Sequence, residues 1–478
     1  MKNRICLSFA LMTFAIMSII SCSDFRDLSY RLSNPYCRNI AKSKGVAISC
    51  NVAVKSASRA SGDGEQSLYF VNSDNSLMPF IFNFDIVTEN DSLRNAFNRW
   101  IKTEMKITCK DKAIFAEDFL YLKNVSVSGG NDIVNEGNDK LSQVIFEAKL
   151  EAISKVDQKN LLVNLTDGAV FDLFELNNRF PDIETIKQKQ GIFRANDGKS
   201  WYFLTPTGNT ICKMQRNGDR LVVSDVNHSF LPVYDFVLDK NENICAMDSS
   251  GWTNGAVLFF ADGSLDNWPK SRLEKYPSEA IFSLDGQWYT VHNYAYGSPY
   301  YEYETALSKV WIENKELKFK ELWSKEDGMI EKYQIFPVLN SDDEYYVLGR
   351  KGRLKINKST DVCTYEEYPA SFPDNFSRAA WTVKSGWGLI PKDESISGVI
   401  ERVGFDAYNI YTFEHFYIPI PGGAGNIKGY EKGSDIVYME GSRWNEATSS
   451  YDTWIIKVDI RHQSATVFND DISDVLFY

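Results

Sequence analysis

The chain has 478 residues and a formal net charge of −12, from 52 basic and 64 acidic side chains. That balance argues against a nucleic-acid partner and against a polybasic contact with a membrane. With 44% hydrophobic and 14% aromatic residues the chain can bury a large core, and its Tyr, Phe and Trp load suits strands better than helices.

Met1 to Ser21 has the form of a secretory signal. Lys2 and Arg4 precede an apolar stretch from Ile5 to Ile20, too short and wrongly flanked for a retained span. Its end, Ile19-Ile20-Ser21-Cys22, resembles a bacterial lipobox, with an aliphatic residue three before the cysteine and a small residue just before it. The resemblance implies lipidation of the Cys22 thiol, cleavage before it and acylation of the new amine. Several acyl chains anchor stably, at about 0.8 kcal/mol per buried methylene. Ser23 stands where an inner-membrane retention aspartate is expected, and acidic residues follow, so the expected address is the outer membrane, at the cell surface. Residues 22–66 read as a lipidated tether and 67–478 as the folded domain.

Two stretches, Ser92 to Met105 and Leu141 to Val156, approximate helical spacing, although either could be a strand. The rest is a recurring pattern of apolar strand, polar turn and apolar strand. It begins at Ala113–Leu122 and returns at Gly191–Leu204, Asp235–Met247, Ala280–Val291, Gln334–Leu348, Ala379–Ile390 and Ile427–Met439. From the second onward the spacing is roughly 40 to 56 residues, and each turn is followed by a further strand pair, the pattern of four-stranded propeller blades. Leu68–Phe80 matches Leu161–Leu173, the outer hairpin of the first clear repeat. Val475–Tyr478 ends the chain as if opening another inner strand. Joined, the two ends supply a closing blade and remove two exposed edges. The expected fold is all-β, a β-propeller of about eight four-stranded blades, or alternatively seven.

The lipobox at Ile19–Cys22 and the hairpins Leu68–Phe80 and Leu161–Leu173 together resemble uncharacterised β-propeller lipoproteins of Bacteroidota-type bacteria. That resemblance implies a fold and an address but no reaction.

Six cysteines remain in the mature chain. Cys212 and Cys245 sit in similar contexts and read as repeat-equivalent core positions. The four histidines, His228, His292, His415 and His462, show no i, i+4 pair and no cysteine neighbour, so no metal and no cofactor is expected. Asp239-Lys-Asn-Glu-Asn243 opens like a calcium loop but lacks the later glycine and acid, and reads as a hairpin turn. Ser283-Leu-Asp-Gly-Gln-Trp288 looks like a sialidase Asp-box with its Gly and Trp displaced, and also reads as a turn. Glycoside hydrolysis needs two carboxylates across a bond. Asp85, Asp235 and Glu440 lie in or beside strands, but the sequence singles out no pair.

One segment stands out. His292 to Glu304 holds Tyr294, Tyr296, Tyr300, Tyr301 and Tyr303, read as a long loop offering aromatic faces at one rim, or else a hairpin packing its own tyrosines. Trp444, in Gly441–Glu446, is a second aromatic in an expected loop. The leading reading is a binder rather than an enzyme: a surface lipoprotein whose rim takes a glycan or an envelope protein partner. The alternative is a polysaccharide hydrolase or lyase with carboxylates at the propeller channel.

Overall fold

The computed structural model describes residues 28–38, 40, 46–51, 66–71, 76–109, 113–128, 137–176, 192–195, 197–205, 210–228, 233–248, 256–259, 265–267, 278–296, 302–314, 316–326, 339–340, 343–348, 352–373, 381–382, 386–396, 399–420, 427–431, 434–445, 447, 449–469 and 472–477. The signal, Cys22, and Tyr300 and Tyr301 lie outside them. The chain divides into two compact units. Unit 1 holds Met1–Ser43, Asn51–Ile114 and Asp118–Glu175, and unit 2 holds Lys44–Cys50, Phe115–Glu117 and Leu176–Tyr478.

Unit 1 carries both expected helices. Helix α1 (Asp91–Thr103) is capped by Asn90, whose side-chain oxygen accepts from the Leu93 N–H at 2.9 Å. It buries Leu93, Phe97, Trp100 and Ile101, one stripe at helical spacing. Helix α2 (Lys140–Ser154) is capped by Asp139 and buries Ala148 and Ala152. The two helices pack together, with the Lys149 ammonium 5.5 Å over the Trp100 ring. The expected hairpins are present. Gln66–Val71 pairs with Leu77–Pro79, Phe70 opposite Met78. Leu161–Asn164 pairs with Val170–Asp172 on one side and Phe119–Leu122 on the other.

The segment expected as a tether is partly built into the fold. Arg31–Leu32 pairs with Ile86–Val87. The Tyr36 hydroxyl donates to Asp85 Oδ1 at 2.6 Å, and Cys37 N–H donates to the Gly168 carbonyl at 2.7 Å. The apolar Leu28, Leu32 and Cys37 explain this, since all three are buried.

Among the described residues, unit 2 contains six successive four-stranded antiparallel sheets, each in chain order. Sheet I is Phe193–Arg194, Ser200–Leu204, Thr210–Asn217 and Arg220–His228. Sheet II is Val233–Leu238, Ile244–Asp248, Ala256–Phe259 and Leu265–Asn267. Sheet III is Ser278–Leu284, Gln287–Tyr296, Glu302–Glu313 and Glu316–Glu326. Sheet IV is Leu339–Asn340, Glu344–Leu348, Gly352–Asn357 and Cys363–Glu367. Sheet V is Trp381–Thr382, Trp387–Ile396, Val399–Asn409 and His415–Pro419. Sheet VI is Ile427–Tyr430, Ile436–Asn445, Ser450–Asp459 and Ser464–Asn469. Each recurrence of the sequence pattern after Gly191 supplies the first two strands of one sheet.

The central strands are apolar on both faces, so each sheet must be covered twice. Tyr202, Leu204 and Ile211 of sheet I pack on Phe236 and Ile244 of sheet II. Tyr289 and Leu307 of sheet III pack on Tyr345, Val347, Leu354 and Ile356 of sheet IV. Tyr346 and Leu348 of sheet IV meet Tyr408 and Ile410 of sheet V. Leu389, Phe405 and Ile418 of sheet V meet Val437, Met439 and Ile456 of sheet VI. Burying each large apolar side chain is worth about 1.5–3 kcal/mol, so this stacking dominates the stability of the unit. First strands lie beside first strands in sheets II and III, and fourth beside fourth in III and IV and in V and VI.

The last strand, Ile472–Phe477, pairs antiparallel with Val46–Asn51, Val475 opposite Ile48. The last described strand thus pairs with a strand inside the expected tether rather than directly with Leu68–Phe80. Cys212 and Cys245 are both fully buried, yet Cys212 is on the third strand of sheet I and Cys245 on the second of sheet II, so they are core residues but not equivalent positions.

Gly168 has φ of 75°, and a Cβ there would lie 2.0 Å from the Cys37 carbonyl oxygen. Left-handed backbone and a backbone clash together predict that Gly168→Ala destabilises the protein by about 2 kcal/mol or more, measured as a lowered midpoint in thermal or urea unfolding.

Candidate functional site

In a four-stranded meander the first and third turns share one end and the second turn lies at the other. The two ends of unit 2 differ in construction. At the first end, side chains tie neighbouring sheets together. The Tyr202 hydroxyl of sheet I donates to Glu242 Oε2 at 2.6 Å, and Lys213 Nζ lies 2.7 Å from the same oxygen; Glu242 sits in the first turn of sheet II. The Tyr345 hydroxyl of sheet IV donates to Asp285 in the first turn of sheet III at 2.7 Å, and Lys358 lies 4.7 Å over the Tyr345 ring. Lys309 of sheet III donates to both carboxylate oxygens of Asp361, in the last turn of sheet IV, at 2.8 Å. Burial pushes the Tyr202 and Tyr345 hydroxyls well above the usual tyrosine range, and the adjacent carboxylates raise them further. Between sheets IV and V the tie is set further along: the buried Arg353 guanidinium, just after the second turn of sheet IV, lies 4.2 Å over Phe413 in the last turn of sheet V and 5.1 Å over Tyr346, with its Nε donating to Glu366 at 2.8 Å.

The last turns of several sheets, in unit 1 as well as unit 2, share a device that the sequence reading missed. Asn164 of unit 1 and Asn357 and Asn409 of unit 2 each end the third strand of a four-stranded sheet. Asn357 Oδ1 accepts from the N–H groups of Ser359 (3.1 Å) and Thr360 (3.0 Å), and Asn409 Oδ1 from those of Tyr411 (2.8 Å) and Thr412 (3.0 Å). Asn164 Oδ1 accepts from the Thr166 N–H at 2.8 Å. In each, the backbone carbonyl of the Asn accepts from a residue four later that has positive φ: Gly168, Asp361 or Phe413. Asp459 caps a similar turn, accepting from the His462 N–H at 3.1 Å. An Asn or Asp five or six residues before the start of the next strand was the available signal. It was hidden because the residues between, from Leu-Thr-Asp-Gly to Ile-Tyr-Thr-Phe, share no common chemistry.

The second-turn end is where the sequence placed its candidate ligand residues. Sheet III carries a tall hairpin here. Tyr294 lies opposite Glu304, Tyr296 opposite Glu302, and Tyr303 opposite Ala295. Tyr294, Tyr296 and Tyr303 therefore belong to strands, not to a long loop, and only residues 297–301 join them. The alternation of strands puts positions 294 and 296 on one face and 303 on the other. Trp444 likewise is on the second strand of sheet VI, opposite Tyr451, rather than in a loop. The register does not bring Trp444 together with the tyrosines, since they stand on different sheets. The continuous pairing of Gln287–Tyr296 with Glu302–Glu313 decides between the two readings in favour of the hairpin.

The chemistry motifs resolve as turns. Asp239 Oδ1 accepts from the N–H groups of Asn241 and Asn243 at 2.8 Å, closing the first turn of sheet II. Asp285 and Gly286, both at positive φ, close the first turn of sheet III, and the Ser283 hydroxyl donates to the Leu238 carbonyl at 3.0 Å. Asp85 accepts from Tyr36 and Arg38, and Glu440 pairs with Lys428 at 2.6 Å. Where the carboxylates of Asp139, Asp197, Glu344 and Asp459 are shifted, they are lowered. Hydrogen bonds from Ser142 act on Asp139 and from Tyr346 on Glu344, whereas at Asp197 and Asp459 donated hydrogen bonds outweigh a raising effect of burial. A general acid needs the opposite shift. Burial pushes the Cys363 thiol up to about 12 and Cys245 higher still, which makes both unreactive. Among the described residues no group of three or more His, Cys, Asp or Glu is placed to hold a metal, and no helix is long and apolar enough to cross a membrane.

The sequence matches no protein-family model and no curated protein. Among solved structures it is similar to the β-propeller domain of the Trilobed protease from Pyrococcus furiosus, at 10% identity over 75% of this chain and 97% of that one, with a TM-score of 0.34. A prolyl endopeptidase is similar at 10% identity over 80% of this chain and 51% of that one, TM-score 0.38. Apo AztD from Citrobacter koseri is similar at 9% identity over 67% and 79%, TM-score 0.29. At these scores the likenesses carry no weight beside the sheet order and packing described above.

Asn409→Ala removes two turn hydrogen bonds at a buried position. It is expected to cost about 1–3 kcal/mol in urea unfolding. The raised tyrosines also fix a pH dependence. A raised folded-state value gives stability that is fully present below the unfolded value and lost as pH climbs toward the folded one. Stability is therefore expected to fall as pH rises above about 10. Absorbance titration should find Tyr202 and Tyr345 ionising only with unfolding, and Tyr202→Phe and Tyr345→Phe should reduce that late-titrating fraction.

Proposed function

We propose that the protein is a lipoprotein, anchored through Cys22 at the outer membrane, whose body is a β-propeller that recognises a glycan at the second-turn rim. Sheets I to VI are six of its blades, in a ring of about eight. The observation that carries the reading is the unequal build of the two ends. One end is cross-tied by Tyr202–Glu242, Tyr345–Asp285 and Lys309–Asp361. At the other, the second hairpins of sheets III, V and VI extend to strands of 10 to 12 residues, against 4 to 6 in sheets II and IV. Strand-borne tyrosines and Trp444 on a stiff base suit stacking on sugar rings at low entropic cost.

A glycan array probed with the full chain is expected to give a defined class of hits. Tyr294→Ala with Tyr296→Ala, or Trp444→Ala alone, should weaken them at least tenfold without lowering the unfolding midpoint. Unchanged affinity in both variants rejects the rim. For the anchor, Cys22→Ser should abolish incorporation of a labelled fatty acid and shift the protein out of the membrane fraction; persistence of the label rejects Cys22.

A further inference from the structure

The folded body begins close to the residue proposed as its anchor. Leu28 is buried, and the first strand follows at Arg31–Leu32, paired with Ile86–Val87. Five residues separate Cys22 from Leu28. Six Cα steps reach about 20 Å when fully extended, which is about two helix diameters. An acylated Cys22 therefore holds the start of unit 1 within that distance of the lipid surface.

The start of the fold is seated on helix α2. The Tyr30 hydroxyl donates to the Glu151 carboxylate, with Glu147 also near it. Lys155 Nζ, just past the helix, donates to the Ser33 carbonyl at 3.4 Å and lies 3.5 Å from Glu151. The helix itself has more apolar surface than its packing uses. The residues it buries, Ala148 and Ala152, are small. Phe146, Leu150 and Ile153, spaced i, i+4, i+7, form a stripe on the opposite side. Leu150 is 43% exposed, and Phe146 and Ile153 are only partly buried. Gln143 and Ser154, both exposed, complete this face, and no charged position of the helix falls within it. Its charged borders are engaged elsewhere. Lys149 lies over Trp100 of helix α1 and 3.9 Å from Glu104, and Glu147 stands on the side of Tyr30.

A single exposed leucine needs no explanation. Three large apolar residues in one stripe, on the helix that seats the lead from the anchor, call for one. A helix of 15 residues is about 22 Å long and can lie along a bilayer with its apolar face about 5–10 Å into the headgroup boundary. The reach of residues 23–27 permits that placement, and an uncharged face favours lipid without help from electrostatics.

We propose that the Phe146–Leu150–Ile153 face of helix α2 docks on the lipid surface in which Cys22 is anchored, so that unit 1 rests on the membrane. This rests on the Cys22 anchor proposed above. The test uses the lipidated full chain in phosphatidylcholine vesicles, with a photoactivated benzophenone side chain placed at position 150 or, as a control, at position 222, where Val222 of unit 2 is similarly exposed. Lipid adducts are expected at position 150 and roughly fivefold fewer at 222, at low and high salt alike. Gln143→Glu with Ser154→Glu, both on the exposed face, should cut the adducts at position 150 roughly threefold and leave the unfolding midpoint unchanged. Should that pair fail to fold, Gln143→Glu alone is expected to cut them about twofold. Protein that floats with the vesicles yet gives no lipid adduct at position 150 overturns the docking and leaves the anchor standing. Adducts as frequent at position 222 overturn the choice of face. A cross-linked dimer in place of lipid adducts overturns the docking in favour of a second copy of the chain. Protein that carries no acyl group and does not float overturns the anchor, and the docking with it.

Discussion

Every large feature of unit 2 follows from one constraint: a sheet with two apolar faces must be covered on both. A single four-stranded meander cannot meet it, and neither can two. The solution here is repetition, each sheet serving as the cover of the one before and the substrate of the one after. The residues that do this are unremarkable individually, such as Leu204, Val347, Leu389 and Met439, all at or near zero exposure. Their joint effect is to fix the spacing of the sheets and the level at which each meets its neighbour. The pairing of Ile472–Phe477 with Val46–Asn51 belongs to the same logic, because it gives the last strand of the chain a partner in place of a bare edge.

Polar groups then refine what the apolar faces permit. The Tyr–carboxylate–Lys ties work where hydroxyl and carboxylate are both partly withdrawn from water, which strengthens the bond and makes an unpaired partner costly. They sit at turns, and the turns are rigid because an Asn or Asp folds back on its own backbone. Glycine enters where an aromatic ring needs the space. A Cβ on Gly404 would lie 2.5 Å from the Tyr417 ring, and one on Gly352 2.6 Å from that of Tyr365. In both pairs the aromatic residue lies diagonally across from the glycine on the fourth strand. The ring covers strand backbone that a side chain would otherwise shield.

Much of the strand order was readable in the sequence because the first hairpin of each sheet is its most apolar and most regular part. Ala280–Val291 and Ile427–Met439 each announce two strands and a turn. The helices were half legible: the apolar spacing suggested them but left a strand open, and the buried stripe of Leu93, Phe97, Trp100 and Ile101 with the cap at Asn90 decides the first. What could not be read was pairing at a distance. Val46–Asn51 is a short apolar run in a polar neighbourhood, and only its partner more than 400 residues later makes it a strand. The tyrosine segment was found as a composition and left open between a loop and a hairpin, because aromatic residues in a strand extension and in a loop look alike until the register is known. The height of each sheet was likewise invisible, since it depends on which residues of adjacent sheets meet.

The tall hairpins obey a period of two. Adding or removing one residue pair at the tip of sheet III or V changes its height by one step and leaves every position below on its original face. Among the described residues, the buried core positions nearest the tips on these second and third strands are Ala306 on sheet III and Phe405 on sheet V, four and six residues from the strand ends. Lineages can therefore lengthen or shorten these hairpins by small in-frame insertions while the stacked sheets stay untouched, a freedom that the cross-tied end lacks.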